Sequence, residues 1–267
     1  MNESRLVRFG LRVATGIVLA FLYLPLVILA IYAFNESRSQ AWPPTGFSLH
    51  WFTEAIQNEA VRRAFLNSII AATGATSIAL VLGTLAALAV QRFSFFGRDT
   101  ISFLFILPIA LPGVVTGIAL RTTFQTVGVD FGLATIVVGH ATFCVVIAYN
   151  NVVARLRRLP RSPEEASADL GADTWSTFRR ITLPGMGTAL LSGALLAFAL
   201  SFDEIIVTNF TAGPGTQTIP IWIFSAIQRP NALPVVNVVA LILILVSTIP
   251  VYFAQRISGE AGAGGRY

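Results

Sequence analysis

Residues 164–185 read EEASADLGADTWSTFRRITLPG, and they separate two long apolar stretches of a mostly hydrophobic chain. Acidic residues stand at the start, small residues follow them, and a pair of arginines lies near the end. The core has a defined spacing: Glu165, Ala166 and Ser167, then three residues and Gly171, then nine residues and Ile181, then one residue, Leu183 and Pro184. A polar stretch between two apolar ones predicts an exposed connection between membrane helices.

The first half of this connection predicts a short exposed helix. Ser162 can cap it, Pro163 suits its first helical position, and Glu165 stands where a capping box needs an acid. Gly171 suits the end of the helix, because glycine adopts left-handed backbone angles easily. Ser167 and Gly171 share a face with almost no side-chain bulk, so another surface can approach that face closely.

The second half predicts another helix, which begins after Asp173 and extends to about Ile181. Asp173 can accept hydrogen bonds from the free N–H groups at the helix start. Trp175 and Phe178 supply apolar side chains, and Pro184 is expected to end the helix because its nitrogen cannot donate a hydrogen bond. We therefore expect a helix, a sharp turn and a second helix in the 160–185 segment.

The composition is that of a membrane protein. Of the 267 residues, 55% are hydrophobic and 12% are charged, whereas soluble domains carry about 25% charged residues. Six apolar stretches are long enough to cross a bilayer core of roughly 30 Å. They cover residues 13–34, 68–90, 101–120, 132–153, 186–207 and 235–254. Because these stretches are solidly apolar rather than alternating, we expect an all-α membrane protein with six transmembrane helices.

The distribution of arginines predicts the orientation. All 18 basic residues are arginines, and most lie at the N-terminus, after the second and fourth apolar stretches and near the C-terminus. Because cytoplasmic loops carry excess basic residues, both termini and the 160–185 segment are expected in the cytoplasm. This topology explains the net charge of +5, so we do not expect nucleic-acid binding. We expect a single transmembrane domain over residues 1–267, with a disordered tail over residues 259–267.

Several kinds of site are excluded or disfavoured by the residues present. The absence of lysine excludes a P-loop, so no nucleotide is expected on this chain. Cys144 is the single cysteine, which excludes an internal disulfide, and its apolar surroundings predict a core position. His50 and His140 have no partner at ligand spacing, so both are expected to be structural and no metal or other cofactor is expected.

An acidic pair, Asp203 and Glu204, lies inside the fifth apolar stretch. Ionisable groups at membrane depth are costly and usually face a bundle interior or a water-filled path. Asp203 lies roughly 26 Å along the helix from Met186, which predicts a place near the outer surface and on a solute path. Adjacent helix residues differ by about 100° in direction, so only one acid needs to face the path. A structural ion pair with an arginine such as Arg121 is the alternative.

Three other places carry predictions. Tyr149 and Asn150, near the inner end of the fourth stretch, are candidates to line a solute exit. Residues 49–56 are predicted to form a short interfacial helix, because aromatic residues favour the depth of the lipid headgroups. Residues 208–234 are too apolar for a free loop, so we expect them to pack back onto the helices or to dip inward.

The spacing across residues 165–184 resembles the cytoplasmic coupling loop of bacterial ABC importer permeases, which is written E-A-A-x3-G-x9-I-x-L-P. The matching positions are Glu165, Ala166, Ser167, Gly171, Ile181, Leu183 and Pro184. Ser167 is the departure, since the family usually has alanine there. The resemblance implies a type I ABC importer permease-like bundle. Its coupling helix would dock into a groove of a separate ATPase subunit and transmit the movement of that subunit.

The resemblance extends to the second permease subunit of spermidine/putrescine-type importers. It rests on residues 195–224, LLAFALSFDEIIVTNFTAGPGTQTIPIWIF, and residues 139–159, GHATFCVVIAYNNVVARLRRL. It implies a bacterial inner-membrane importer with a sibling permease in a heterodimer, two ATPase subunits that hold ATP and Mg, and an extracytoplasmic solute-binding protein. The chain departs from the family after Pro112: an acid is frequent there, whereas here Gly113 forms a G-x-x-x-G pair with Gly117.

Three other functions stay open at this point: an ABC permease for another small solute, a stand-alone secondary transporter and an intramembrane enzyme. Secondary transporters often contain internal repeats, and none is evident in the sequence. An enzyme needs a nucleophile and a base, or a metal cluster, that converge. The adjacent carboxylates of Asp203 and Glu204 on one helix do not converge, so we expect a permease subunit rather than an enzyme.

Overall fold

In the computed structural model, residues 5–263 are described, apart from the side chains of residues 106, 109, 230 and 258–263. Within that range the chain is helical, with an isolated antiparallel β-bridge between Asn35 and Phe47. The helices are α1 Arg5–Ala33, α2 His50–Gln57, α3 Glu59–Arg92, α4 Arg98–Ala110, α5 Gly113–Val127, α6 Leu133–Leu156, α7 Ser162–Asp169, α8 Thr174–Thr177, α9 Leu183–Gly185, α10 Gly187–Phe202, α11 Ile206–Thr211, α12 Ile219–Ala226 and α13 Leu233–Ala263. The all-α prediction is confirmed.

Fewer than six of the described helices are long and apolar enough to cross a membrane. Four described helices are long and apolar enough to cross a membrane: α1, α3, α6 and the Leu233–Ile257 part of α13. A bent pair, Thr174–Gly185 with Gly187–Phe202, is a fifth candidate. The predicted third span is divided between α4 and α5, because Leu111 is extended before Pro112. The count of six spans therefore stays a prediction.

The described chain divides into two compact units, and the single transmembrane domain stays a prediction. One unit combines residues 5–62 with 223–244. In this unit the helix predicted over residues 49–56 is confirmed as α2, and its interfacial position stays a prediction. The Trp51 indole donates to the carbonyl oxygen of Asn35 at 2.8 Å, and the rings of Phe34 and Phe52 lie 4.9 Å apart. These contacts hold α2 against the residues that follow α1.

The other unit combines residues 63–222 with 245–263 and is built around α6. Small residues allow the neighbouring helices to approach α6 closely. A Cβ atom added to Gly83 of α3 would lie 2.8 Å from the backbone nitrogen of Tyr149. Cys144 is fully buried, as predicted, and its thiol donates to the carbonyl oxygen of Ala197 on α10 at 3.4 Å.

The G-x-x-x-G pair of α5 packs against α11. A Cβ atom at Gly113 would lie 3.4 Å from Ile206, and one at Gly117 would overlap the ring of Phe210. The two glycines therefore let α11 lie directly on α5. The close helix packing predicted for this pair is confirmed.

The stretch after α11 packs back onto α3 within the same unit, as predicted. The Asn67 side-chain amide donates to the carbonyl oxygen of Gln217 at 2.9 Å. The Ile219 N–H donates to Ser68 Oγ at 2.9 Å. Both bonds fix the start of α12 against α3.

The predicted disordered tail begins at residue 259, but α13 continues through residue 263. Residues 264–267 lie outside the described part of the chain.

Candidate functional site

The first helix of the 160–185 segment is α7. Arg161 already has helical backbone angles, and its carbonyl oxygen accepts from the N–H groups of the next turn. Ser162 is thus the first helical residue rather than the cap, and the predicted cap is wrong. Gly171 follows the helix with a φ of +81°, and the Ala172 N–H donates to the Ser167 carbonyl oxygen at 3.1 Å. The predicted glycine end is confirmed.

The second helix continues through Pro184 instead of ending there. A π-helical turn over Phe178–Thr182 shifts the backbone bonds by one residue, and the Leu183 N–H donates to the carbonyl oxygen of the first residue in that turn. Such a widened turn accommodates a proline, which has no N–H to place. The helix runs to Gly185, and a 64° bend follows at Met186 before α10.

Asp173 caps the second helix, as predicted. Its Oδ1 accepts from the Ser176 N–H at 2.6 Å. The hydrogen bonds from the Ser176 backbone and side chain lower the pKa of this carboxyl, despite its full exposure. A lowered folded-state pKa means that the cap contributes stability above the ordinary aspartate pKa and loses it as the pH falls through the lowered value. The cap is therefore complete at neutral pH.

We expect Asp173→Ala to loosen the start of this helix at neutral pH, because the Ser176 N–H loses its acceptor. Hydrogen–deuterium exchange should show faster uptake in residues 174–177. Asp173→Asn is the matched control, since its amide oxygen still accepts the bond. Equal uptake in the alanine variant and the wild type would show that the cap does not hold this turn.

The seven motif residues divide between an exposed and an inner side of the segment. Glu165, Ala166, Gly171 and Pro184 are exposed, whereas Ser167, Ile181 and Leu183 are partly buried. Ser167 Oγ lies 3.0 Å from Thr177 Oγ1, so the serine that replaces the usual alanine ties α7 to α8. Leu170 and Trp175, at 89% and 66% exposure, add apolar area to the exposed side.

Glu164 makes contacts that the sequence did not reveal. Its Oε1 accepts from Arg92 Nη2 at 2.9 Å and from Thr182 Oγ1 at 2.8 Å. A groove of about 750 Å³, lined partly by Leu88 and Phe93 of the α3 end, lies beside these side chains. Arg92 and Glu164 are 72 positions apart in the chain. In the sequence, only their opposite charges could have suggested the pair.

The acidic pair lies at a helix break rather than inside a helix, which corrects the sequence prediction. Residues 203–205, the acidic turn, connect α10 to α11. Glu204 Oε1 accepts from the Val207 N–H at 2.8 Å and so caps α11. Asp203 is exposed. Across the described residues no ion pair joins either acid to Arg121, whose guanidinium lies 5.4 Å from the ring centre of Phe131.

His140, fully buried on α6, braces the acidic turn from both sides. Its Nδ1 lies 2.7 Å from Ser201 Oγ on α10, and its Nε2 lies 2.8 Å from Thr208 Oγ1 on α11. Thr208 already donates its proton to the Glu204 carbonyl oxygen at 2.8 Å. It must therefore accept from Nε2–H, which leaves Nδ1 to accept from Ser201. The structural role predicted for His140 is confirmed.

Tyr149 and Asn150 have different surroundings. Tyr149 is buried, stacks on Phe105 at 5.0 Å and donates its hydroxyl to Ser102 Oγ at 3.1 Å. Asn150 is exposed on α6. The structure thus does not bring these two side chains together at one site. Across the described residues, no group of three His, Cys, Asp or Glu side chains is arranged to hold a metal ion.

The family of binding-protein-dependent transport system inner membrane components matches residues 79–259, which include the 160–185 segment and the acidic turn. The chain belongs to this family. This permease is 36% identical to the putrescine transport system permease protein PotI of Escherichia coli K12, over 91% of this chain and 89% of the relative. It is 32% identical to the spermidine/putrescine transport system permease protein PotC of Haemophilus influenzae, over 94% of this chain and 97% of the relative.

Solved importer structures share the fold of this permease. A bacterial ABC transporter that imports alginate matches with a TM-score of 0.74 at 16% identity, over 96% of this chain and 99% of that chain. The MetNI methionine ABC transporter matches with a TM-score of 0.60 at 16% identity, over 79% and 97%. At such identities the likeness concerns the fold alone. The predicted type I ABC importer permease-like fold is confirmed. The family match also confirms that the chain is an ABC importer permease, and this rules out a stand-alone secondary transporter.

Proposed function

We propose that this permease forms half of the transmembrane channel of an ATP-driven importer for polyamines such as putrescine and spermidine. The observation that carries the solute class is the similarity, over nine-tenths of the chain, to permeases named for these solutes. The exposed carboxylate of Asp203 supports it, because polyamines are cations at neutral pH and an acid at membrane depth attracts them.

The complete importer in this proposal has several subunits. A different permease supplies the other half of the channel, and an extracytoplasmic binding protein delivers the solute. Two ATPase subunits carry ATP and Mg, while this chain binds no cofactor and performs no hydrolysis. Both termini and the 160–185 segment face the cytoplasm, as the arginine distribution favours.

The 160–185 segment is proposed to dock on an ATPase subunit. Glu165, Ala166 and Gly171 offer a polar, low-bulk surface, and Leu170 and Trp175 beside it are apolar side chains left uncovered within this chain. Ile181, Leu183 and Pro184 connect that surface to α10. ATP binds the closed ATPase dimer more tightly than the open one, so it drives the segment and the helices toward the outward-facing state.

Asp203 is the proposed solute-facing acid, whereas Glu204 holds the acidic turn. This division follows from their contacts, because Glu204 caps α11 and Asp203 is exposed. Asn150 is proposed to face the solute exit directly. Tyr149 would contribute to that exit through its packing on Phe105 rather than by touching the solute.

Uptake of labelled putrescine and spermidine tests this division in cells that lack the gene. We expect Asp203→Asn to lower uptake about tenfold, because hydrogen bonds to charged groups contribute roughly 1.5–3 kcal/mol. Glu204→Gln should keep most uptake, since its amide oxygen can still accept from Val207 N–H. Asp130→Asn, at an exposed acid between α5 and α6, is the matched control.

Two results would overturn parts of the proposal. Full uptake by an assembled Asp203→Asn importer would remove Asp203 from the solute path. A lack of polyamine uptake in cells with the wild-type permease would remove the solute class and leave the importer subunit assignment unchanged.

A small solute of another class is the second candidate. The putative 2-aminoethylphosphonate permease protein PhnV of Salmonella typhimurium is 30% identical over 82% of this chain. A pocket of about 270 Å³ between α6 and α10 is lined by Arg155 and Arg158, which suit an anionic group. Labelled 2-aminoethylphosphonate in the same uptake assay separates this candidate from the polyamine one.

A further inference from the structure

The 160–185 segment is attached to the end of α3 by charged side chains. Glu164 in the first turn of α7 accepts from Arg92, the last residue of α3, and from Thr182 in the π-helical turn. Arg161 adds a bond from its Nη2 to the carbonyl oxygen of Gln91 at 2.9 Å. One carboxylate oxygen thus joins three elements: α3, α7 and the turn that leads to α10.

Partial burial is expected to make this ion pair stronger than one on the open surface. The side chains of Arg92 and Glu164 are only 14% and 21% exposed, so water screens them less than a fully exposed pair. The groove beside them lies between the α3 end and the segment, and apolar side chains such as Leu88, Trp175 and Phe178 line it. The ion pair therefore forms a polar bridge at the edge of an apolar gap.

α3 is suited to carry a displacement away from this bridge. It is one continuous helix of 34 residues, and Arg92 lies about 36 Å from Ser68 at 1.5 Å per residue. Asn67 and Ser68 are the residues that bond to Gln217 and Ile219 at the start of α12. A continuous helix that is held by polar bonds at two points along its length moves those two points together.

We propose that Glu164 and Arg92 are positioning residues that transmit movement of the 160–185 segment to α3, and through α3 to the residue 217–219 region. This inference rests on the proposed docking of the segment on an ATPase subunit. Movement of the segment would then reach α3 as well as α10, the helix that follows the segment directly in the chain. The inference also assigns a role to Glu164, which precedes the seven motif residues.

Charge reversal in the complete importer tests the link, with the solute moved per ATP hydrolysed as the readout. We expect Arg92→Glu and Glu164→Arg each to lower this ratio about tenfold, within the usual range of coupling energies. The double variant should recover to within about threefold of wild type, because the opposite charges again face each other. Arg157→Glu, at an exposed arginine after α6, changes the charge equally and should leave the ratio unchanged.

Co-purification of all subunits separates loss of coupling from loss of folding. Single variants with a wild-type ratio, or an assembled double variant that stays as impaired as the singles, would overturn the inference. Glu164→Asp supplies a milder change and should keep more of the ratio than Glu164→Arg. The docking proposal is judged separately, by substitution of Gly171.

Discussion

Gly171→Asp is expected to uncouple ATP hydrolysis from solute transport while the importer still assembles. The glycine has a φ of +81°, and a Cβ atom there meets nothing within 4 Å. The substitution therefore adds backbone strain of only about 1–2 kcal/mol, and its Cβ atom contacts no other residue. Its carboxylate would, however, stand on the low-bulk face that we propose to contact the ATPase. Transport per ATP should fall about tenfold or more.

Gly128→Asp is the matched control for backbone strain. Gly128 ends α5 with a φ of +73°, and a Cβ atom there also meets nothing within 4 Å. Both variants replace a left-handed, unobstructed glycine at a helix end with the same side chain. Uptake and ATPase activity should stay close to wild type in Gly128→Asp. A normal transport ratio in an assembled Gly171→Asp importer would remove Gly171 from the docking surface.

The ends of the 160–185 helices could be predicted only where local chemistry decides them. Gly171 and Asp173 act through bonds to residues a few positions away, so their roles were visible in the sequence. The continuation through Pro184 depends on the π-helical turn, in which Thr182 is held by Glu164 from the first helix. Contacts across eighteen residues have no signature in a local pattern.

The acidic turn likewise could not be predicted from the local sequence, because it depends on contacts with residues far away in the chain. The apolar character of residues 186–207 predicts that they enter the membrane, but it does not show where the helix breaks. The break is held by His140, which precedes Ser201 by 61 residues and Thr208 by 68. The sequence identified the acids correctly as unusual. It could not show that Glu204 caps α11 while Asp203 is exposed, because both are carboxylates in adjacent positions.

Helix contacts in the α6-centred unit depend on small residues, and a glycine that faces backbone atoms is more sensitive than one that faces a side chain. At Gly117 the neighbour is a Phe210 side chain, which can rotate. At Gly83 of α3, an added Cβ would lie 2.8 Å from the Tyr149 backbone nitrogen and 2.9 Å from the Val145 carbonyl oxygen. Backbone atoms of α6 cannot rotate away as a side chain can, so an added Cβ at Gly83 would force α3 and α6 apart.

We therefore expect Gly83→Leu to destabilise the permease by about 3 kcal/mol, the upper end of the usual cost of overpacking. Thermal unfolding of the detergent-solubilised importer, followed by size-exclusion chromatography, should show a lower midpoint and less intact complex. Gly10→Leu is the matched control, because a Cβ atom at this helical glycine of α1 meets nothing within 4 Å. If both variants unfold at the wild-type temperature, α3 does not need its close approach to α6.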